Sequence, residues 1–214
     1  MVNCMLMISA DLENLTNLQP QGGCDDPNFS YFFKVPSLSL PQYYLRFAAL
    51  DSSLLLAMLA LLHIMDEFRY GFFFSVFIAL SLLKCGCGEL SQKETCVSLA
   101  ETLPTQGGKG TTNLIQKCKF CGREGTVTMI PGRGKPLTQE AAQSGGFSPL
   151  MLFDCRGYEP VDFVFGVGWK VESLAGTQYE DIDLSGGDYA EYDEKGECPV
   201  MISNLCFKFE VVKH

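Results

Sequence analysis

The chain has 214 residues, enough for one sizeable core with a small metal-stapled module, so one main domain is expected. Its 16 Lys and Arg against 25 Asp and Glu give a formal net charge of −9. With the cations dispersed, that balance argues against a nucleic-acid-binding surface. Ten cysteines follow an N-terminus, Met1-Val2-Asn3-Cys4, that has no charged region ahead of an apolar one. No secretory signal is read there, and a reducing compartment, cytoplasmic and also nuclear, is expected to keep the thiols for metal or packing.

From Met1 to Lys34 the text is strand-like, with short apolar stretches punctuated by Gly, Pro, Asn and Asp. Val35 to Leu83 is different. It holds two apolar runs, Leu54–Leu62 and Gly71–Leu80, separated by Asp66, Glu67 and Arg69. Neither reaches the ~18 apolar residues of a spanning helix. Leu54–Leu62 is apolar all round, so as a helix it requires complete burial. The segment therefore reads as an apolar helical insert, with a membrane hairpin anchor as a second reading.

Directly after it comes Lys84-Cys85-Gly86-Cys87-Gly88-Glu89, and about thirty residues later Lys117-Cys118-Lys119-Phe120-Cys121-Gly122-Arg123-Glu124. Two close pairs of thiols are the raw material of one tetrahedral Zn²⁺ site, with Cys85, Cys87, Cys118 and Cys121 as ligands. Gly after each pair suits a turn that carries backbone N–H groups back towards sulfur. The second pair has the usual CxxC spacing. The first reads CxC, one residue short, and is expected to strain the site and weaken metal binding without changing its role.

Gly107-Gly108-Lys109-Gly110-Thr111-Thr112 lacks the spacing of a phosphate loop and reads as a hairpin tip. Thr126–Ile130, Pro149–Phe153 and Val161–Phe165 are expected strands, and Thr138–Gln143 a short helix. Near the end, Met201, Leu205, Phe207, Phe209 and Val211 fall on one face of a strand and Asn204, Lys208 and Glu210 on the other. Short strands with Gly-rich turns predict an all-β fold, an antiparallel sandwich or barrel. The acids Glu180, Asp181, Asp183, Asp188, Glu191, Asp193 and Glu194 follow no EF-hand spacing and read as a solvated face. Cys155 reads as a packing thiol with no cysteine close by, and Cys4, Cys24, Cys96, Cys198 and Cys206 as packing or surface thiols. His63 lies in the insert and His214 is the last residue, so no histidine-based triad is expected and the protein reads as no enzyme.

Leu12-Glu13-Asn14-Leu15-Thr16-Asn17-Leu18, the two knuckles, Phe153-Asp154-Cys155-Arg156-Gly157-Tyr158-Glu159-Pro160-Val161-Asp162-Phe163 and Tyr192-Asp193-Glu194-Lys195 resemble the eukaryotic CXXC-motif-containing zinc-binding proteins, a family long listed as of unknown function. The resemblance implies a sandwich-like β fold with one zinc held by two cysteine pairs. It covers residues 1–34 and 84–214 as a single domain. In the family, Tyr31-Phe32-Phe33-Lys34 runs almost directly into Leu83-Lys84-Cys85, so residues 35–83 also read as a translated intron or a gene-model artefact. A structural zinc with a protein-interaction role, its partner unnamed, is the function expected. The rivals are a thiol redox or metal-handling protein using Cys118 and Cys121, and a membrane-anchored variant that uses the insert.

Overall fold

A computed structural model describes residues 2–33, 83–89, 95–105 and 110–213. The expected insert up to Leu82, with its helical, anchor and gene-model readings, lies outside the described residues, as do both histidines. Its last residue, Leu83, is buried and opens a strand.

The fold grows around β1 (Val2–Glu13), where Cys4, Leu6, Ile8, Ala10 and Leu12 are buried at period two and turn one face inward. On one side β1 pairs with β10 (Ser148–Arg156), which pairs with β9 (Glu124–Ile130) and then β8 (Leu114–Lys117). On the other side it pairs with β15 (Cys198–Val212) and then β14 (Tyr189–Asp193). These six strands form one antiparallel sheet, curled into a half-barrel. A second, three-stranded sheet holds β2 (Leu15–Pro20), β12 (Trp169–Ser173) and β13 (Gln178–Ile182). Short pairs complete the fold: β3 (Tyr31–Phe33) with β5 (Thr95–Val97), β4 (Leu83–Cys85) with β11 (Tyr158–Pro160), and β6 (Leu103–Pro104) with β7 (Thr111–Thr112). The last pair frames the expected hairpin tip, whose residues 106–109 lie outside the described residues.

Trp169, Tyr31, Phe153, Leu6, Ile8, Leu15 and Leu18 form the centre of the core. Trp169 meets Phe29 edge to face at 5.2 Å and donates its indole N–H to the Phe165 carbonyl, so its polar atom is satisfied inside. The short helix α1 (Gln139–Gln143) forms where expected, with Thr138 as its N-cap accepting from the Ala141 N–H at 3.3 Å.

The structure corrects three sequence expectations. Met201 does not share the inward face of Leu205: Val200 and Ile202 are buried while Met201 is exposed. An extra residue on β15, opposite β1 between Ser9 and Asp11, switches the alternation, and Asn204 takes the left-handed conformation there, φ +51°. Val161–Phe165 is no strand. The pairing stops at Pro160, which has no N–H to donate, and resumes only as a single bridge between Val164 and Phe32. Asp193 is not on a solvated face, being 1% exposed and accepting from the Thr177 hydroxyl at 2.7 Å and the Lys195 N–H at 3.1 Å.

Those last pairings also align two separated strands. Phe32 lies opposite Val164 and Leu83 opposite Pro160, both antiparallel. β3 and β4 therefore lie along one line beside residues 158–164, and their partners are four positions apart.

Candidate metal centre

Each knuckle begins where a strand ends. β4 delivers Cys85, and β8 delivers Cys118 one residue past Lys117. The two turns then close in the same way. The Cys85 N–H donates to the Glu89 carbonyl at 2.8 Å, and the Gly88 N–H returns to the Cys85 carbonyl at 2.8 Å. In the second, the Cys118 N–H donates to Arg123 at 2.8 Å and the Gly122 N–H to Cys118 at 2.9 Å. Gly88 and Gly122 stand at φ +94° and +71°, which only glycine adopts without strain. The turns differ by one residue, and their hydrogen bonding absorbs the difference.

The four sulfurs converge. Cys85 Sγ lies 3.7 Å from Cys121 Sγ and Cys87 Sγ 3.8 Å from Cys118 Sγ, and all four lie within 4.8 Å of one another. A tetrahedron with ion–sulfur bonds of about 2.3 Å has sulfur–sulfur edges of about 3.8 Å. A disulfide needs about 2.05 Å, and all ten cysteines are free thiols. The shortened knuckle thus brings Cys87 as near to Cys118 as Cys85 comes to Cys121. Donor type and spacing both fit a zinc ion.

Cys85 and Cys118 are buried, while Cys87 and Cys121 reach the surface. The Cys118 thiol is held down to about 7, first by the Cys121 N–H and then by the Phe120 N–H and the thiols of Cys121 and Cys85, against the effect of burial. At Cys85 the Cys87 N–H favours the thiolate, but desolvation and the three neighbouring thiols outweigh it and push the group up to about 12. Lys84, Lys117, Lys119 and Arg123 are exposed in and beside the knuckles, interleaved in sequence with Glu89 and Glu124.

Sequence reasoning missed Tyr158. It pairs with Cys85 in the β4–β11 ladder, and a methyl group placed on Gly125 of β9 would come 2.4 Å from its Cδ2. The ring is thus wedged between the strand of the first knuckle and the hairpin of the second. It is 4% exposed. Burial first, and then the charge of Cys118, Cys85, Cys121 and Cys87, pushes the phenol up to about 12. Only the strand register, invisible in the sequence, reveals this.

Cys155 does have a cysteine neighbour. Val2 pairs with Cys155 and Cys4 with Phe153, so Cys4 and Cys155 stand diagonally across β1 and β10 on one face, and their thiols hydrogen-bond. That bond lowers the Cys4 thiol and, with burial, raises Cys155.

An antiparallel β-protein whose two turn-borne cysteine pairs gather four thiols at metal-binding distances is the class that fold and site define. The profile of the eukaryotic CXXC motif containing zinc binding proteins matches residues 62–210, and the chain belongs to that family. It is 36% identical to the human CXXC motif containing zinc binding protein over 129 residues, 59% of this chain and 79% of the relative. To the Drosophila melanogaster UPF0587 protein CG4646 it is 38% identical over 134 residues, 61% of this chain and 81% of that one. The crystal structure of C1orf123 superposes with a TM-score of 0.69 at 27% identity, covering 98% of this chain and 99% of that chain. A hypothetical protein from Plasmodium falciparum shares the fold, at TM-score 0.64 and 19% identity, over 99% and 100% of the two chains. Among the described residues no helix is long and apolar enough to cross a membrane.

Proposed function

We propose that Cys85, Cys87, Cys118 and Cys121 hold one structural Zn²⁺, and that the protein works through its surface as a non-enzymatic interaction module in a reducing compartment. The observation that carries the reading is the sulfur geometry, 3.7 and 3.8 Å across the two knuckles, close to the edge of a zinc tetrathiolate. Four protein ligands leave no open coordination position, which is the mark of structural rather than catalytic zinc. The ion ties β4 to the β8–β9 hairpin, and such binding supplies on the order of 10–16 kcal/mol of apparent free energy in small domains at neutral pH. Metal analysis of protein purified without added zinc tests this. Near-stoichiometric zinc supports it, and protein that folds and melts identically with and without zinc refutes it.

A second reading, a thiol redox role for Cys118 and Cys121, is favoured by the Cys118 thiol being held down to about 7. It requires metal-free protein as purified and a reversible Cys118–Cys121 disulfide by mass spectrometry.

A further inference from the structure

A buried phenol without a partner stands beside the four thiols. Tyr158 is 4% exposed, and among the described residues its hydroxyl has no hydrogen-bond partner. Buried hydroxyls in folded proteins are ordinarily satisfied, so one left unpartnered asks for an acceptor that the molecule acquires in another state. The position limits what that acceptor is. Tyr158 faces Cys85 across the β4–β11 ladder, its ring lies against the backbone of Gly125, and the turn of that hairpin, one pair beyond Gly125, carries Cys118 and Cys121. The acceptors that change character at this place are the sulfurs. Neutral thiols are poor acceptors, whereas four thiolates on one divalent ion carry net negative charge and accept charge-assisted hydrogen bonds. A phenol, with an ordinary pKa near 10, remains a donor throughout the neutral range.

We propose that the Tyr158 hydroxyl is a positioning and tuning donor for the metal centre, satisfied by an O–H···S hydrogen bond to a metal-bound thiolate and unsatisfied when the site is metal-free. The idea rests on the zinc reading above and deepens it. The bond draws charge from the sulfur and fixes the separation of the two knuckles, the part that outer-shell donors play at metal sites.

The sign of the effect separates this from simple packing. Tyr158→Phe removes the hydroxyl and keeps the ring. In chelator competition it should weaken zinc binding by about tenfold, or about 1.4 kcal/mol. In the cobalt-loaded protein it should move the thiolate-to-metal charge-transfer band to lower energy, because the sulfur regains electron density. The metal-free variant should melt at the same temperature as metal-free wild type, or higher, since an unpartnered buried hydroxyl has been removed. Unchanged zinc affinity with an unmoved cobalt band overturns the proposal, as does a fall in metal-free stability matching the fall in affinity, which is the mark of lost packing. Tyr158→Leu, which loses the ring as well, should lower both affinity and metal-free stability. If wild-type protein binds neither zinc nor cobalt, the failure lies with the zinc reading and removes this proposal with it.

Discussion

Substituting Gly125 by alanine should damage the metal site from beneath without touching a ligand. Gly125 lies in β9 opposite Gln116 and needs no left-handed conformation, so alanine is conformationally acceptable there. The difficulty is space. An ideal Cβ would stand 2.4 Å from Tyr158 Cδ2 and 2.5 Å from the Arg156 carbonyl oxygen, about 1 Å inside ordinary contact at both. The first obstacle is a wedged ring and the second is main chain, so neither rotates away. Overpacking of this kind costs roughly 1–3 kcal/mol, and two blocked directions put Gly125→Ala near the upper end, about 3 kcal/mol. For a domain of this size that is a fall in melting temperature of roughly 6–12 °C. Relief requires Tyr158 to move, and Tyr158 carries Cys85 through the strand ladder. Metal–sulfur distances tolerate only about 0.2 Å, so a shift approaching 1 Å should also weaken zinc at least about tenfold. Gly86→Ala is the control, because its Cβ meets nothing within 4 Å and its φ is ordinary. It should stay within about 0.5 kcal/mol of wild type. Thermal unfolding with and without zinc, paired with chelator competition, reads both effects. A Gly125→Ala protein that melts within about 2 °C of wild type and binds zinc equally well would refute the wedge.

Cys118→Ser should lower zinc affinity by roughly a hundredfold or more, exceeding the loss from an outer-shell change, and chelator competition against wild type decides it. Asp193 is held below the ordinary carboxylate range, first by its hydrogen bonds with Ser173 and Thr177. Its contribution to stability is therefore present above the unfolded-state pKa and lost as pH falls through the lower folded-state value. Asp193→Asn should destabilise at neutral pH and flatten the acid limb of the melting-temperature profile, and an unchanged limb counts against the assignment. Deleting residues 36–82 leaves Phe33, Lys34 and Val35 to join Phe32 to Leu83, which matches the three positions between their partners Val164 and Pro160. That variant should fold, keep its zinc and melt higher; loss of folding sinks the idea that β3 and β4 continue one another.

Local patterns in the sequence announced the knuckles, the strands β9 and β10 and the capped helix α1. Period-two burial, glycine after paired cysteines and Thr138 ahead of a helical stretch each act over a few residues. Long-range register was hidden. It decides that Tyr158 meets Cys85, that Cys4 lies beside Cys155 and that Asp193 is enclosed by Ser173 and Thr177. The inserted residue at Asn204 shows the limit within one strand, since a single bulge puts Met201 on the face opposite Leu205, Phe207 and Phe209. CxC shows the converse. Its turn closes with the same two kinds of hydrogen bond as CxxC, one residue shorter, and the sulfur distances from one knuckle to the other are 3.7 and 3.8 Å.

The shortness of β4 gives the metal a mechanical task. Among the described residues the strand that carries the first knuckle has three ladder pairs, all with β11. An ion held by Cys85 and Cys87 together with Cys118 and Cys121 would act as a rivet at that seam, tying β4 to the β8–β9 hairpin as well as to β11. Occupancy of the site and integrity of that seam should then rise and fall together, which makes proteolytic nicking on either side of Leu83–Glu89 a gauge of how much metal the protein carries.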